Sequence, residues 1–530
     1  MQEARERVAP TMLISDVVAS IDGARLVAGR ADSPVGGVAV DSRKVVPGDV
    51  FVAIAGFRDD GARYAAEAVA RGAAAVVTAD GALGAPEGAA LVRVPDARFA
   101  AARIACLVNG DPSRELWVTG VTGTNGKTTT TFLVRSIYRC AGLRAGLLGT
   151  VEFDLAREVA PSSATTPEPI ELQRMLRAMR DNGARGAILE VSSHALTQRR
   201  VEGVRFRVGV FTNLTPEHLD YHGDFESYAA AKELLFRGLD AGAVAVLNAA
   251  DPASLRYARA TRARVVMYGI GAEAPSDGAR GTTNAVVRAR IVSETIEGTE
   301  FDLVSDVGVH RVRLPLPGRH NVQNALAAAG AALAVGIDPR AVVAGLEAES
   351  RVPGRLDPVD AGQDFRVLVD YAHTDDALEK VLASLRPLVP GRILVVFGCG
   401  GDRDRTKRPR MGRVVEARSD LFWVTNDNPR GEDPAAIAEM ILGGLGSRAR
   451  ARVVLDRDLA IAEAIAEARS GDAVLIAGKG HECGQIFRDR TVPFDDRTSA
   501  LAALRHRLGS PLGPRSGSRP PRRSAPEVSA

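Results

Sequence analysis

The run Val118-Thr119-Gly120-Val121-Thr122-Gly123-Thr124-Asn125-Gly126-Lys127-Thr128-Thr129 carries an apolar strand through a glycine-rich turn into the start of a helix. In such a turn backbone N–H groups approach anionic oxygens closely, the helix start adds a favourable potential, a lysine reaches terminal phosphates and a hydroxyl can hold Mg2+. The residues Gly123, Thr124, Asn125, Gly126, Lys127, Thr128 and Thr129 are therefore read as a cradle for phosphates. The spacing is imperfect: Val121 stands where the first glycine of a phosphate loop would be, and Gly120 comes one position early. A ligand-free glycine turn is the competing reading, and the agreement of strand, turn, Lys-Thr pair and helix argues against it.

Two further residues sit where strands end. Glu190 lies in Ile188-Leu189-Glu190-Val191, and His218 follows Phe211-Thr212-Asn213. Ligands of open α/β sheets gather at the carboxyl ends of strands, and a carboxylate with an imidazole there can ligate Mg2+ beside phosphates. Lysine usage adds a third signal. Of 68 basic residues only six are lysine: Lys44, Lys127, Lys232, Lys380, Lys407 and Lys479. Where lysine persists against that bias, a site can require a compact ammonium or an amine able to lose its charge, which guanidinium cannot do. Lys127 and Lys479 both stand in Gly-Lys contexts after apolar runs.

Short apolar runs alternate with amphipathic stretches from about residue 35 to residue 508, the pattern of βα units and mainly parallel sheets. The expected fold class is α/β in three modules, with a central P-loop-type ATPase module and a Rossmann-like C-terminal one. Expected boundaries are 1–114, 115–350 and 351–508, with 509–530 as a disordered tail. Strands are predicted at Val38 to Val40, Val50 to Ile54, Ala74 to Val77, Leu116 to Val118, Ala187 to Val191, Val208 to Phe211 and Val244 to Leu247. In the third module they fall at Arg366 to Val369, Ile393 to Phe397, Leu421 to Val424 and Ala473 to Ile476. Val352-Pro353-Gly354-Arg355 reads as a linker and a hinge.

Composition narrows the class. The 530 residues are 45% hydrophobic and 25% charged, enough to bury several cores. No run of about eighteen apolar residues occurs and no signal peptide opens the chain, so a cytoplasmic protein without membrane insertion is expected. The net charge of +3 is that of the tail, where Arg515, Arg519, Arg522 and Arg523 face only Glu527. No nucleic-acid partner is expected from it. Cys106, Cys140, Cys399 and Cys483 are too far apart for a metal cluster and read as free thiols.

Gly-Thr-Asn-Gly-Lys-Thr-Thr resembles the ATP loop of the Mur ligases and their folylpolyglutamate synthetase relatives. The resemblance spans nearly the whole chain. Asp41-Ser42-Arg43 with Pro47-Gly48-Asp49-Val50-Phe51 is similar to the family's nucleotide-sugar module. Glu190-Val191-Ser192-Ser193-His194-Ala195-Leu196, Asn213-Leu214-Thr215 with His218-Leu219-Asp220, and His320-Asn321-Val322-Gln323-Asn324 resemble its central module. Val369-Asp370-Tyr371-Ala372-His373-Thr374, Gly398-Cys399-Gly400-Gly401-Asp402-Arg403 and Gly478-Lys479-Gly480-His481-Glu482 resemble its C-terminal module.

The resemblance implies an ATP-dependent amide ligase of peptidoglycan synthesis, working as a monomer through an acyl phosphate. Its implied substrates are UDP-N-acetylmuramoyl-L-alanyl-D-glutamate and meso-diaminopimelate, with ATP and Mg2+ as cofactors. Lys127, Glu190, His218 and Lys232 become catalytic. Lys232, in Ala231-Lys232-Glu233-Leu234, would be carbamylated (N6-carboxylysine) and would join Thr128, Glu190 and His218 around metal. Asn321, Arg355, Asp370 and His373 are implied for ATP. Val40, Ser42, Phe57, Arg58, Asp59, Thr165, Thr166, Ser192, Gln198 and Arg200 are implied for the UDP-sugar-peptide. Asp427-Asn428-Pro429-Arg430, with Arg403, Gly478 and Glu482, would bind the amino acid, since the Arg430 guanidinium offers a planar fork to a distal carboxylate that lysine lacks. Ala164 and Asp375 depart from the family pattern, where Asn and Pro are usual. A ligase adding L-lysine, a folate relative and a non-catalytic nucleotide-binding regulator are the alternatives.

Overall fold

The computed structural model describes residues 12–56, 60–79, 81–271 and 282–509. Phe57, Arg58 and Asp59, and the basic tail beyond Gly509, lie outside them. The chain divides into two compact units on either side of the Val352–Pro353 bond.

The first unit holds two sheets. The smaller has five strands in the order Arg25–Ala28, Ala90–Arg93, Ala75–Thr78, Asp49–Ala53 and Gly37–Ala39, parallel except for its first pair. The larger has eleven. Its parallel centre runs Thr282–Thr295, Arg264–Ile270, Val244–Asn248, Phe206–Phe211, Trp117–Thr122, Gly186–Glu190 and Ala145–Leu148. Strands such as Gly186–Glu190 are buried along their whole length, as continuous apolar runs covered on both faces must be. The mainly parallel α/β organisation expected from the sequence is thus present, and its predicted strands form.

Antiparallel additions flank that centre, and the apolar runs did not announce them. On one side Gly298–Ser305 and Gly308–Leu314 pair in sequence with Thr282–Thr295; on the other come Glu152–Asp154 and Val159–Pro161. Gly308–Leu314 alternates inward Val312 and Leu314 with outward arginines, so no uninterrupted apolar run marks it. On the outer face Asp302 sits in register with Arg290 and Arg311, its two oxygens 2.8 and 2.7 Å from their guanidiniums.

The two sheets of this unit are tied at Asp96, whose carboxylate caps the helix Ala97–Val108 and pairs with Arg199 at 2.8 Å. The loop helix, Lys127–Cys140, is largely buried between the central sheet and the helices Arg319–Ala334 and Pro339–Ala348.

The second unit carries a sheet in the order Asp357–Pro358, Arg366–Asp370, Ala473–Ala477, Ile393–Phe397, Leu421–Val424 and Ala451–Val453, parallel apart from the first pair, plus the hairpin Gly484–Ile486 with Thr491–Pro493. The four cysteines are free, with Cys106 and Cys399 buried.

The crossing of Pro339–Ala348 over the loop helix is intimate. A Cβ on Gly345 would lie 2.3 Å from Ile137 Cα, and Gly345 O accepts from Ser136 Oγ at 2.7 Å. Because backbone meets backbone, no rotamer change can make room. Gly345→Val should lower stability by about 1–3 kcal/mol, the usual cost of overpacking, and tilt the helix that presents Lys127. Thermal melting checks this, and an unchanged midpoint would show that the crossing is not a fixed contact.

Candidate active site

The strand Trp117–Thr122 lies at the middle of the large sheet, and the turn that follows it opens at the carboxyl end of its neighbours. The turn is stitched to the end of the adjacent strand. Thr124 N donates to Asn213 O (2.8 Å), Asn125 N to Asn213 Oδ1 (2.9 Å), and Thr212 Oγ1 and Asn213 Nδ2 donate to Asn125 O (2.6 and 3.1 Å). Gly126 caps the loop helix at φ 85°, ψ −7°, a left-handed conformation that costs glycine little. A Cβ there would also lie 2.3 Å from Asn324 Oδ1, and Asn324 Nδ2 donates to Asn321 Oδ1 at 3.3 Å. Asn321 is thereby placed against the loop, and Thr128 and Thr129 are buried in the first turn of the helix.

Two ammonium groups converge on this turn. Lys127 Nζ donates to Gly123 O at 2.9 Å and to Thr124 O at 2.8 Å; Lys232 Nζ donates to the same Gly123 oxygen at 3.0 Å. Lys232 is 2% exposed, on the helix Phe225–Arg237, and its Nζ lies 4.5 Å from the centre of the Tyr228 ring. Burial pulls its basicity well below the ordinary lysine range, the Lys127 charge adds to this, and Glu217 opposes it.

Glu190 ends its strand 1% exposed. Its carboxylate accepts from Thr150 N and Thr150 Oγ1, both at 2.9 Å, and its carbonyl accepts from Thr166 Oγ1 at 2.9 Å. From there one network joins the expected substrate residues. Thr165 Oγ1 lies 3.1 Å from Thr150 Oγ1 and can donate to it, Ser192 N donates to Thr166 Oγ1 (3.1 Å), and Arg200 donates to Thr166 O (3.0 Å) and Gln198 Oε1 (2.6 Å). His218 stands at φ 56°, 3.9 Å from Glu217, and its ring is 4.8 Å from that of His194. Val40 and Ser42 lie in the small sheet's region, and Ser42 Oγ donates to Glu67 at 2.8 Å. No hydrogen bond among the described residues joins either to the phosphate loop.

In the second unit, two groupings form. Asp370 is buried and accepts from Leu356 N (2.7 Å) and Ala372 N (2.8 Å); burial raises its pKa while Arg355 opposes the rise. Arg355 lies over the Tyr371 ring at 5.1 Å and His373 Nδ1 meets Tyr371 O at 2.7 Å, so Arg355, Asp370 and His373 share one neighbourhood. The other grouping brings the loops after Leu421–Val424 and Ala473–Ala477 together. Asn428 Nδ2 donates to Glu482 Oε2 at 2.8 Å, a Cβ on Gly478 would lie 2.8 Å from Asp427 Oδ2, and Arg430, at φ 51°, donates from Nη1 to Gly401 O at 2.9 Å. Arg403 is nearby in sequence to Gly401 and donates to Asp402 O at 3.3 Å.

Sequence reasoning missed several contributors. Thr150 orients Glu190, and Tyr228 faces Lys232, yet neither stands in a recognisable pattern. Arg457 is 1% exposed; it pairs with Asp496 at 2.7 and 2.8 Å and donates to Asn426 O (3.3 Å) and Ala477 O (3.0 Å), so one guanidinium pins the roots of the loops after Leu421–Val424 and Ala473–Ala477. Its only sequence signal is an arginine at a helix start.

A glycine-rich turn served by two lysines, with a buried carboxylate one strand away, fits a nucleotide-dependent enzyme built on α/β sheets. Residues 34–106 match the Mur ligase family catalytic domain, 121–332 the Mur ligase middle domain and 354–480 the Mur ligase glutamate ligase domain. UDP-N-acetylmuramoyl-L-alanyl-D-glutamate–2,6-diaminopimelate ligase of Geobacter metallireducens is 44% identical over 88% of this chain and 94% of its own length. The ligase of the same name from Solibacter usitatus is 43% identical over 93% and 98%. A solved structure of a ligase with that name superposes at TM-score 0.67 and 32% identity, covering 94% of this chain and 99% of the other. MurF ligase of Thermotoga maritima, solved in complex with ADP, shares the fold at TM-score 0.57 and 18% identity, over 89% of this chain and 97% of its own. The chain belongs to the Mur ligase family, and it is an ATP-dependent amide ligase.

His194 gives the site a pH signature. Burial holds its pKa down at about 4, with His218, His222 and Arg200 adding to the shift. The unfolded imidazole titrates near 6.5, so below that pH the unfolded chain takes a proton that the folded one refuses. Stability contributed by a neutral His194 is therefore lost as pH falls from about 6.5 toward 4. Melting at about pH 7.5 and about pH 5 should show a smaller acid-induced drop in H194Q than in the wild type; equal drops would remove His194 as the cause.

Proposed function

We propose that this ligase joins meso-2,6-diaminopimelate to the D-glutamyl carboxylate of UDP-N-acetylmuramoyl-L-alanyl-D-glutamate, converting ATP to ADP and phosphate. The observation that carries the reading is the convergence of Lys127 and Lys232 on Gly123 O beside a strand-end carboxylate, Glu190. The names of the relatives supply the substrates.

In the first step the D-glutamyl carboxylate attacks the γ-phosphorus of ATP, ADP leaves, and an acyl phosphate forms. Lys127 swings from its two loop carbonyls to the phosphate oxygens, offsetting negative charge that spreads over them in the transition state. Thr165, Thr166, Ser192, Gln198 and Arg200 hold the peptide end of the substrate, with Arg200 fixed by Thr166 O and Gln198. Val40, Ser42, Phe57, Arg58 and Asp59 take the uridine end, and Asn321, Arg355, Asp370 and His373 the nucleotide. In the second step the neutral amine of diaminopimelate attacks the acyl carbon. A tetrahedral intermediate collapses as phosphate leaves, taking up the proton that the nitrogen loses, and the amide remains.

Thr128, Glu190, His218 and Lys232 are the residues that would hold Mg2+. The donors fit: a buried hydroxyl, a carboxylate whose orientation Thr150 fixes, and an imidazole. Lys232 fits only as a carbamate, because an ammonium repels metal, and its low basicity favours the neutral amine that adds CO2. When bound, the ion neutralises charge on the phosphate oxygens.

Asp427, Asn428, Pro429, Arg430, Arg403, Gly478 and Glu482 hold diaminopimelate, with Arg430 as the partner of its distal carboxylate and Glu482 of an ammonium. We place the enzyme in the cytoplasm, acting as a monomer without nucleic acid or membrane insertion. No helix among the described residues is long and apolar enough to cross a membrane.

The test is phosphate release from purified protein with ATP, Mg2+ and UDP-N-acetylmuramoyl-dipeptide, with diaminopimelate, L-lysine or no amino acid. Diaminopimelate should drive turnover and lysine little. Turnover with lysine alone overturns the specificity, and none with any acceptor points to a nucleotide-binding regulator. Arg430→Met should cut kcat/KM for diaminopimelate by about tenfold to a hundredfold, as loss of a charge-assisted hydrogen-bond donor does, and narrow the gap to lysine.

A further inference from the structure

Lys479 follows the strand Ala473–Ala477 and is completely buried. Its Nζ donates to Asn428 Oδ1 at 3.0 Å and to Glu482 Oε2 at 2.9 Å, and Asn428 Nδ2 donates to that same Glu482 oxygen at 2.8 Å. The three side chains close a ring. Asn428 is fixed further because its Oδ1 also accepts from Ile486 N at 3.0 Å, which leaves its amide one orientation. Glu482 is held at one end only: its side chain is 34% exposed, and among the described residues Oε1 has no hydrogen bond. One carboxylate oxygen is thus committed to the protein and the other is presented outward.

A compact ammonium suits this place. It must put single donors on an amide oxygen and a carboxylate oxygen at once, from a stem wholly inside the unit, where a guanidinium's wider planar fork would need more room. That is a physical reason for lysine here in a chain whose other basic residues are overwhelmingly arginine. Without the amine, Glu482 would keep only the Asn428 donor and could turn both oxygens toward solvent.

We propose that Lys479 is a positioning residue that sets recognition of the incoming amino acid, by locking Asn428 and one oxygen of Glu482 so that the other oxygen faces the ammonium of a diamino acid. This rests on the reading that Glu482 takes that ammonium. It goes beyond that reading in giving Lys479 a role in amino-acid affinity and none in formation of the acyl phosphate.

The experiment compares the wild type with K479M, E482Q and K479M/E482Q in two measurements. One is amide formation as a function of diaminopimelate concentration; the other is acyl phosphate trapped with hydroxylamine from ATP and UDP-N-acetylmuramoyl-dipeptide without any amino acid. K479M should raise KM for diaminopimelate about tenfold or more, as expected when a charged acceptor loses a charge-assisted donor, while trapping stays within about twofold. Because Lys479 acts through Glu482, the double variant should be no more than about twofold worse than E482Q alone. Additive effects, an unchanged KM for diaminopimelate, or equal loss in both measurements would overturn the proposal. Should K479M melt below the assay temperature, K479Q, which keeps a donor, completes the same cycle and should show a smaller rise. If the wild type uses lysine instead of diaminopimelate, the substrate reading fails separately, and the same cycle run with lysine still decides the role of Lys479.

Discussion

Two like charges share one carbonyl oxygen at Gly123, and the design of the large sheet follows from having to hold them there. Ammonium groups that close repel each other in a medium of low dielectric, and the strain is relieved in one of two ways: an anion arrives, or one amine gives up its proton. Lys232, the more deeply buried, is the one whose basicity falls. Holding both amines on one oxygen requires a rigid turn. Thr212, Asn213 and Tyr228 supply that rigidity through hydrogen bonds and a ring face.

Both units solve the same placement problem in the same way. Parallel strands end together, so the short loops beyond them bring distant parts of the sequence within hydrogen-bonding reach. In the first unit this gathers Lys127, Glu190 and Asn213 from three neighbouring strands. In the second it gathers Asn428, Lys479 and Glu482. What differs is the interior support: a carboxylate fixed by a threonine in one case, and a buried arginine, Arg457, gripping two loop backbones in the other.

Much of this was legible from residue order alone, because parallel strands buried on both faces write themselves as apolar runs and a phosphate turn needs glycine and lysine at fixed spacing. The three strands from Thr282 to Leu314 were not, since their outward positions carry Arg290, Asp302 and Arg311 and break up the apolar pattern. Nor were Thr150 and Arg457. Each matters through a partner forty residues away, Glu190 for one and Asp496, at nearly that distance, for the other. Lys479 fell between: its scarcity and glycine context marked it, while its ring of partners is a property of the folded unit. The uridine-binding assignment to Phe57, Arg58 and Asp59 falls outside the described residues.

An eleven-stranded sheet has two open borders, each a row of backbone groups that another chain could extend. One border here is Gly308–Leu314, where Arg311 and Arg313 project with half to four-fifths of their side-chain surface in solvent. The other is the three-residue strand Val159–Pro161, closed by a proline that has no N–H to offer. Charge on one side and brevity with proline on the other discourage edge-to-edge addition. A sheet wide enough to seat a nucleotide loop at its middle thus keeps its margins from recruiting a second copy into a growing ribbon.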